Sequence, residues 1–397
     1  MKEVVIIEGV RTPVGKLGGA LKSIQPETLS VLVMQEALKR SGAKAEDIDE
    51  IIWGQAKQSS DQPNIARLAG LTAGFPIEVP AYTVHRQCGS GLQSVMNAAQ
   101  SINCGDAELI LAGGVESMST APYYLRNARY GYGAGNGVIV DPNTESQPCS
   151  QPQDVYGSLT MGMTAENLAE KYNITRQEQD AFALESQRRA DRAIKEGDFK
   201  AEIIPVPIKK RKETILFDQD EHPRMTSMED LAALKPVFKK GGTVTAGNAS
   251  GRNDGATALL IASAAKAKEL GLKAKARIVA QAAAGVSPEI MGIGPAPAVR
   301  KVLQKANLKL EDIGLIELNE AFAAQSLAVI KELGLEERMD IINVNGGAIA
   351  LGHPIGNSGA RILVTLLYAM EKRDVRYGIA TLCIAGGLGV ALLIERI

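Results

Sequence analysis

The chain has 397 residues, 45% of them hydrophobic and 22% charged, which is the usage of a globular protein with two or three domains. The formal net charge of −1 and the lack of an apolar run of about 20 residues argue against nucleic acid or a membrane as a partner. The four cysteines form no CxxC pair, which argues against a disulfide framework and against a metal site and favours the reducing cytoplasm.

Predicted strands and helices alternate along the first part of the chain. A strand is predicted in MKEVVIIEGVRTP, because its apolar run is too short for a signal peptide and Glu8 follows it. A helix, an EDI linker and an apolar strand follow over 37–53, and a β-branched strand then leads into Cys88. A helix over 92–102 and a glycine-rich strand near 108–118 complete this segment, which indicates an α/β fold.

Cys88 lies where a predicted strand turns into a helix, in the stretch VHRQCGSG. At a helix N-terminus, the helix dipole and the free N–H groups are expected to lower the pKa of the thiol. Gly89 and Gly91 leave room for a ligand or for another backbone. An isolated cysteine is more often a small buried hydrophobe, so this turn alone leaves both interpretations open.

Residues 121–249 interrupt the alternation. They contain aromatic, glycine-rich and proline-rich stretches, and a helical run with charged i, i+4 spacing over 164–199. We interpret them as an inserted domain that lies over the site. The alternative is a structural elaboration without a part in function.

The last part of the chain repeats the first. Residues 302–313 (VLQKANLKLEDI) are similar to residues 37–48 (ALKRSGAKAEDI), and at the same offset Cys88 falls on His353. Duplication predicts two similar α/β halves around a pseudo-twofold axis, with Cys88 and His353 meeting near that axis. Chance likeness between two α/β segments is the alternative.

The repeat and its interruption predict three parts. The N-terminal half covers 1–120 and is completed by about 250–270, the inserted loop domain covers 121–249, and the C-terminal half covers 271–397.

Three further stretches end predicted strands in turns. Asn319 and Glu320 lie between a strand and a helix, where helix capping by the asparagine is the alternative explanation. His353, one of three histidines, lies between a glycine and a proline in a loop that could instead cradle a phosphate. Cys383 ends an apolar strand and enters a glycine turn.

These turns are predicted to meet, because sites in α/β folds gather at the C-terminal ends of strands. Cys88 and His353 form a nucleophile with its activator. Cys383 adds a second thiol that can serve as a general acid and base. The set suits acyl transfer to sulfur better than hydrolysis, because a thioester exchanges readily with a thiol.

Together these stretches resemble the thiolases, the acetyl-CoA C-acyltransferases, over essentially the whole length of the chain. AGNASGRNDGA at 246–256 matches the block that precedes the second half in this family. Four more family blocks appear in order: Cys88-Gly89-Ser90, Asn319-Glu320-Ala321-Phe322, Gly352-His353-Pro354, and Cys383 with its glycines.

The resemblance implies a thiolase-like fold of two duplicated α/β halves in a layered αβαβα arrangement, with an inserted loop domain. It implies that Cys88 takes the acyl group and that His353 activates Cys88. His353 also holds the thioester oxygen, together with a water on Asn319. Cys383 moves the α-proton. The backbone N–H groups of Cys88 and Ala385 form the second oxyanion hole.

The resemblance also implies the substrate-binding residues. Ser250 is similar to a residue that contacts the pantetheine arm, and Arg224 matches a position near the CoA nucleotide. Four apolar residues match the lining of the acyl and pantetheine pocket: Met161, Met291, Phe238 and Phe322.

Three residues depart from the family pattern. Ala385 replaces the usual glycine, and its backbone N–H should serve if its φ stays negative. His85 replaces an asparagine three residues before the nucleophile, which suggests a tuned pKa near Cys88. Thr160 replaces the histidine of short-chain biosynthetic members, which predicts a pocket that is not restricted to acetoacetyl-CoA.

The predicted function is therefore acyl transfer between 3-oxoacyl-CoA and CoA, by thiolytic cleavage or by the reverse Claisen condensation. CoA is a substrate, no metal or other cofactor is expected, and the family implies a homodimer or homotetramer. One rival is a β-ketoacyl synthase, which usually pairs its cysteine with two histidines where this chain has Cys383. The other is a non-catalytic acyl-CoA or lipid-binding protein, which need not keep Cys88, His353 and Cys383 together.

Overall fold

The computed structural model describes residues 2–211 and 213–397 of the chain. Its strands, in chain order, are β1 (Val4–Arg11), β2 (Gly15–Lys16), β3 (Glu50–Gly54), β4 (Ala81–Val84), β5 (Leu109–Ser117), β6 (Tyr124–Leu125), β7 (Ile139–Val140), β8 (Val206–Lys209), β9 (Thr214–Phe217), β10 (Asn253–Ser263), β11 (Ala276–Gly285), β12 (Leu315–Leu318), β13 (Tyr377–Ile384) and β14 (Leu388–Arg396).

Helices connect most of these strands. In chain order they are α1 (Pro26–Ser41), α2 (Ile65–Ala73), α3 (Ser90–Cys104), α4 (Pro142–Glu145), α5 (Gln153–Tyr156), α6 (Met161–Lys171), α7 (Arg176–Glu196), α8 (Met228–Ala233), α9 (Ala264–Glu269), α10 (Pro295–Ala306), α11 (Ala323–Leu333), α12 (Ala348–Leu351) and α13 (Ile355–Arg373). Short 3-10 segments lie at Ala45–Asp47, Ala128–Tyr130, Pro148–Ser150, Pro288–Ile293, Leu310–Asp312 and Glu336–Ile341.

The main sheet has two flanks that repeat each other. From the middle of the sheet outward, the neighbouring strands of one flank are β1, β10, β5, β3 and β4. Those of the other flank are β11, β14, β13 and β12. Both flanks begin with two antiparallel pairings and continue with parallel ones. Only two residue pairs, Val5 with Arg277 and Ile6 with Ala276, join β1 to β11. Two matching halves joined at their first strands are what the sequence repeat predicts.

The hydrophobic core is divided into layers that follow from alternation along the strands. In β1, Ile6 packs toward α3 and α13, while its neighbour Ile7 packs toward α1 and α2. On the other flank, Leu392 faces α3 and α13, and Leu393 faces α10 and α11. Successive strand residues point to opposite faces, so each flank is covered on both sides. The order of layers is therefore helix, sheet, helix, sheet, helix, as expected.

The two central helices cross at glycines. A Cβ on Gly91 of α3 would lie 2.9 Å from the backbone nitrogen of Ala360 in α13. A Cβ on Gly359 of α13 would lie 2.5 Å from the backbone nitrogen of Leu92 in α3. Only glycine lets the two backbones come this close, so the N-termini of both helices are held together.

Residues between β5 and β10 form additional structure outside the repeat. Two hairpins, β6–β7 and β8–β9, accompany helices α4 to α8. This segment is tied to β1 by Arg11, whose guanidinium donates to Glu202 at 2.7 Å and to Asp220 at 2.7 and 2.9 Å. The insertion is thus anchored by ion pairs that are almost fully buried.

The helical run predicted over 164–199 is two helices, α6 and α7. The chain breaks at Asn173, which has a φ of 51°, and restarts at Thr175. Thr175 and Glu178 form a reciprocal capping box, which starts a new helix instead of continuing the old one. Charge periodicity could not locate this break.

The predicted fold class is confirmed, whereas the residue bounds of the three predicted parts stay a prediction. Within residues 2–211 and 213–397, no helix is both long and apolar enough to cross a membrane.

Candidate active site

One cavity collects most of the residues that the sequence singles out. Its lining includes residues from both halves and from the insertion: Cys88, Met161, Phe238, Ser250, Met291, Phe322, His353, Cys383 and Ala385. Asn319 and Arg224 are not among its lining residues.

Cys88 lies in a tight turn before α3. Gln87 has a φ of 45°, which is uncommon for a residue other than glycine. The hydroxyl of Ser90 fastens the turn, because it donates to the carbonyl of Gln87 at 2.7 Å and accepts the N–H of Arg86 at 2.9 Å. The turn therefore presents the thiol to the cavity.

The thiol of Cys88 is surrounded by protein except on its cavity side. Burial raises its pKa to about 11, although N–H groups of Ala385 and Cys88 and the charge of Lys57 act in the opposite direction. The expected lowering of this pKa at the helix N-terminus is therefore wrong. Desolvation of the thiolate outweighs the dipole and its hydrogen bonds.

His353 is held from both its backbone and its ring. Its N–H donates to Asn253 Oδ1 at 2.9 Å, and Asn253 Nδ2 donates to the carbonyl of Gly15 at 2.9 Å. Its Nδ1 lies 2.6 Å from Ser358 Oγ, which in turn donates to the carbonyl of Pro354 at 2.9 Å. Because the serine hydrogen is used there, Nδ1 carries the imidazole hydrogen and Nε2 keeps its lone pair.

The imidazole of His353 is neutral. Burial lowers its pKa to about 3, and the positive charge of Arg361 lowers it further. A neutral ring with a free Nε2 lone pair can accept a proton from a thiol.

Cys383 lies at the end of β13, opposite Gly389 of β14. Gly386 and Gly387 follow with φ values of 89° and 84°, and they turn the chain back into β14. Burial raises the pKa of Cys383, and the nearby Cys88 raises it further. Ala385 within this turn does not have a positive φ, so the condition for its N–H to replace that of a glycine is met.

Asn319 comes directly after β12. Its N–H donates to the carbonyl of Thr381 at 3.0 Å, two residues before Cys383. Both polar atoms of its side-chain amide are buried without a hydrogen-bond partner among the described residues. Such an amide requires a partner, which is consistent with its expected place beside a water.

Arg224 lies in the insertion. Its N–H donates to Gln187 Oε1 and its guanidinium donates to the carbonyl of Ala246, both at 3.0 Å. Its expected place near the CoA nucleotide stays a prediction.

One wall of the cavity is apolar. The rings of Phe238 and Phe322 meet edge to face, with centroids 6.1 Å apart. Gly162 packs against Phe238, because a Cβ there would lie 2.3 Å from the ring. The N–H of Ser250 donates to the carbonyl of Ala321 at 3.0 Å and fixes this wall beside Phe322.

Seven other residues of the cavity wall are polar, and sequence analysis did not single them out. They are Lys57, Gln87, Asn143, Ser146, Gln147, Ser150 and Arg252. They come from four separate stretches without a recognisable motif, so no local signal could have identified them.

A buried carboxylate lies behind this wall. Glu116 accepts the N–H groups of Ala56, Lys57 and Gly356 at 3.2, 3.0 and 2.9 Å. Burial raises its pKa to about 7. It joins the end of β3 to the start of α13, and sequence analysis missed it as well.

The structure shows the contacts of two residues that depart from the family pattern. Partial desolvation lowers the pKa of His85, the charge of Lys57 lowers it further, and a hydrogen bond to Gln87 opposes the shift. Thr160 caps α6, because its side chain accepts the N–H of Met163 at 3.4 Å.

Comparison with known proteins agrees with this geometry. The chain matches the family models "Thiolase, N-terminal domain" over residues 4–265 and "Thiolase, C-terminal domain" over residues 272–396. It is 53% identical to an acetyl-CoA acetyltransferase of Syntrophomonas wolfei subsp. wolfei, and the alignment covers 100% of both chains. The crystal structure of the Bacillus anthracis acetyl-CoA acetyltransferase has a TM-score of 0.97 and 51% identity, covering 100% of this chain and 99% of that one.

A second solved structure is the human mitochondrial 3-ketoacyl-CoA thiolase in complex with CoA. It has a TM-score of 0.94 and 44% identity, covering 100% of this chain and 98% of that one. Two matching domain models, full-length identity and the shared fold lead to one conclusion: the chain belongs to the thiolase family of acyltransferases.

Proposed function

We propose that this thiolase transfers acyl groups between 3-oxoacyl-CoA and CoA through a thioester on Cys88. The supporting observation is the convergence of Cys88, His353 and Cys383, from three separate turns, on one cavity. Two thiols and one neutral imidazole are the groups that a thioester exchange with proton transfer requires.

In the cleavage direction, His353 accepts the proton of Cys88, and the thiolate attacks the 3-oxo carbon. The bond between the second and third carbons of the substrate then breaks. Cys383 gives a proton to the carbanion, which leaves as acetyl-CoA. Cys383, now a thiolate, takes the proton of the CoA thiol, whose sulfur attacks the acyl group on Cys88. The shortened acyl-CoA leaves, and His353 returns its proton to Cys88. Condensation of two acetyl-CoA to acetoacetyl-CoA is the reverse sequence.

Two oxyanion holes stabilise the charge that develops on oxygen. His353 and a water on Asn319 serve the thioester oxygen of CoA, which the unpartnered amide of Asn319 supports. The N–H groups of Cys88 and Ala385 serve the acyl oxygen, which is supported by the N–H of Ala385 that points at the Cys88 sulfur.

The same proposal assigns the apolar wall to the pantetheine arm and the acyl group. Met161, Met291, Phe238, Phe322 and Ser250 line the cavity in which both must fit. Arg224 is proposed to contact the nucleotide end of CoA. Thr160, in place of the histidine of short-chain members, is proposed to allow acyl chains longer than that of acetoacetyl-CoA. Its hydroxyl caps α6, and the next residue, Met161, lines the cavity.

A homodimer or homotetramer is proposed from two exposed apolar regions. Strand β4 is at one end of the main sheet, and Tyr82 on it and Ile77 before it are exposed. The β6–β7 hairpin exposes several large apolar side chains: Tyr123, Tyr124, Leu125, Tyr130, Val138 and Ile139. Exposed apolar patches of this kind mark contact surfaces. Light scattering that gave the mass of a single chain at micromolar concentration would contradict this proposal.

CoA acts as a substrate, and we propose no metal or redox cofactor, since thiol exchange and proton transfer complete the reaction. Exhaustive dialysis against a chelator should leave activity unchanged. All four cysteines are free thiols, which supports a location in the reducing cytoplasm. Fractionation of cells that produce the protein tests this location.

Acylation of one thiol tests the central step. Incubation with acetyl-CoA should add one acetyl group, and peptide mass spectrometry should place it on Cys88. Cys88→Ala should lose acetyl exchange while keeping its thermal unfolding transition. An adduct on Cys104, Cys149 or Cys383 instead would reject this assignment, and so would exchange that persists in Cys88→Ala.

The two rival functions predict different results in the same assay. A β-ketoacyl synthase would need a second histidine at the reacting centre, and the cavity lining contains Cys383 where that histidine would act. A non-catalytic acyl-CoA-binding protein would bind acetyl-CoA without transferring its acyl group.

A further inference from the structure

Lys57 is a buried cation in the polar wall of the cavity. It follows β3, only 9% of its surface is exposed, and it lines the cavity together with Cys88. Its ammonium donates to the carbonyl of Pro142 at 3.2 Å and to the hydroxyl of Ser146. An ammonium has three donors, so these two contacts with described residues leave one N–H.

No carboxylate of residues 2–211 or 213–397 lies within ion-pairing distance of Lys57. The nearby Glu116 accepts three backbone N–H groups instead. Arg252, the other cation of the lining, already has Asp141 at 3.7 Å and Thr144 at 3.3 Å. Lys57 is thus the cation of this cavity that lacks a counter-ion within the described chain.

A buried cation without a counter-ion is costly, because water no longer solvates its charge. Burial lowers the pKa of Lys57, and the nearby Glu116 only partly opposes this effect. An anionic group that entered the cavity would pair with the ammonium and offset this cost.

The position of Lys57 indicates which part of a substrate could carry that anion. Its charge acts on Cys88, so it lies near the point where the acyl group is attached. The phosphates of CoA are separated from the thioester by the whole pantetheine arm, which takes them away from this point. The anion must therefore belong to the acyl group.

Other residues of the cavity lining are polar, among them Ser146, Gln147 and Ser150. They are already bonded within the chain: Ser150 Oγ donates to the carbonyl of Ser146 at 2.7 Å, and Gln147 Oε1 accepts the N–H of Met161 at 3.2 Å. Among the described residues, the ammonium of Lys57 keeps an unused N–H, so it is the group that would hold an anion.

We propose that Lys57 recognises 3-oxoacyl-CoA substrates whose acyl chain ends in a carboxylate. This inference rests on the proposed acyl-enzyme at Cys88. The sulfur of Cys88 gives its proton to His353 and bonds to the 3-oxo carbon, the bond between the second and third carbons breaks, and Cys383 gives a proton to the leaving acetyl-CoA. CoA then takes the carboxyacyl group, its thiol proton passes to Cys383, and His353 returns the first proton to Cys88. The carboxylate of the acyl group is unchanged throughout.

The test compares matched substrates. 3-Oxoadipyl-CoA and 3-oxohexanoyl-CoA have the same carbon chain and differ only in a terminal carboxylate or methyl group. The pairs one and two carbons longer cover a greater reach from Cys88 to Lys57. In at least one pair, the wild-type enzyme should cleave the carboxylate form with the higher kcat/KM. A preference for the neutral form in every pair would overturn the proposal.

Substitution of Lys57 identifies the source of the preference. Lys57→Met keeps an unbranched chain of similar length and should reduce the ratio of the two kcat/KM values by about 10- to 100-fold, the size of one hydrogen bond to a charged group. Lys57→Arg should restore part of the ratio. Lys268→Met, on the exposed surface of α9, should keep the wild-type ratio. An equal loss for both substrates in Lys57→Met would mean that Lys57 acts on Cys88, and the proposal would be wrong.

A measurement on the wild-type enzyme removes any dependence on variants that fold poorly. Succinyl-CoA should acylate Cys88 faster than butyryl-CoA, as followed by intact-protein mass spectrometry. If neither forms an adduct and acetoacetyl-CoA is not cleaved, the acyl-enzyme at Cys88 is wrong. If both form adducts and butyryl-CoA is the faster, only the role of Lys57 is wrong.

Discussion

Cys88 and His353 enter the cavity from different halves, and neither carries a charge at neutral pH. The pKa of the thiol is raised to about 11, and that of the imidazole is lowered to about 3. A thiolate–imidazolium pair is therefore not the resting state. The proton must move from sulfur to Nε2 as the substrate is attacked, which makes His353 a general base.

The pH dependence of alkylation tests this resting state. Since the thiolate is the reactive form, the rate of iodoacetamide addition to Cys88 should rise about tenfold per pH unit between about pH 7 and 10. His353 stays neutral over this range, so His353→Ala should keep the same slope. Peptide mass spectrometry of Cys88 measures the rate. A plateau between pH 5 and 8 would instead indicate a thiolate stabilised by an imidazolium.

Cys88 and Cys383 should be needed for different half-reactions. Acetyl exchange between acetyl-CoA and CoA needs Cys88 but no carbon–carbon chemistry, so Cys383→Ser should retain it. A serine hydroxyl is a poor acid near neutral pH, so thiolysis of acetoacetyl-CoA should fall by about 10²–10⁴-fold.

His353→Ala provides the comparison, because His353 serves both half-reactions. Exchange and thiolysis should both fall by at least about 10²-fold, the cost of one lost oxyanion-hole donor. If Cys383→Ser lost exchange and thiolysis by the same factor, Cys383 would not be a dedicated catalyst of α-proton transfer.

At the scale of elements, α3 and α13 determine how the catalytic groups are placed. Cys88 lies two residues before α3 and His353 two residues before α13. The helices touch through Gly91 and Gly359, so their separation is fixed by backbone contact. Any widening of this contact would move the thiol away from the imidazole.

Gly359→Ala tests this dependence. The new Cβ would lie 2.5 Å from the backbone nitrogen of Leu92, which cannot rotate away. Overpacking should lower the free energy of unfolding by about 1–3 kcal/mol, and thiolysis should fall more than ground-state binding of CoA. Denaturant unfolding and steady-state kinetics measure the two effects.

Gly70→Ala in α2 is the matched control. Its Cβ would meet only the flexible end of Ile51, at 2.7 Å, and alanine favours a helix by about 1 kcal/mol over glycine. It should retain activity and stability. Equal loss of activity in both variants would show that the helix crossing has no special role.

At the scale of the whole molecule, the halves enclose a buried group of charges. Arg361 is fully buried, and its guanidinium nitrogens have no hydrogen-bond partner among the described residues. Burial raises the pKa of Glu317 to about 8, although the charge of Arg361 opposes this shift. The charges of Glu202 and Asp220 in the insertion also act on Arg361, so this group brings together segments that are far apart in the chain.

Glu317 gives stability a definite pH dependence. An unfolded glutamate has a pKa of 4.5, and the folded one about 8. Between these values the folded state holds a proton that the unfolded state lacks, so stability falls as pH rises. This contribution of Glu317 to the free energy of unfolding is fully present below pH 4.5 and is lost as the pH passes 8. At about 1.4 kcal/mol per pKa unit, the loss is at most a few kcal/mol.

Glu317→Gln removes this dependence, because glutamine stays neutral. The difference in Tm between the variant and the wild type should become more positive from pH 5.5 to pH 8.5, as measured by calorimetry. Glu337→Gln at an exposed position should show a constant difference. A constant difference for Glu317→Gln as well would contradict the raised pKa.

Much of the fold and the principal site followed from local patterns. The repeat of a helix, an EDI linker and a strand predicted the two flanks, because periodicity specifies which faces are buried. The turns around Cys88, His353 and Cys383 were visible because glycine and proline define short-range backbone geometry. The break at Asn173 was missed, since charge spacing continues through it, and the capping box of Thr175 and Glu178 decides the new start.

The sequence by itself therefore determined the family, the α/β halves and the identity of the groups expected to react. Only the tertiary structure decided the environment of those groups: the raised pKa of Cys88, the neutral ring of His353 and the unpaired ammonium of Lys57. The physical reason is that turns and periodicity arise from neighbours a few residues apart. Desolvation and charge interactions depend on groups far apart in the chain, such as Lys57 and Ser146, that come together only when the layers close.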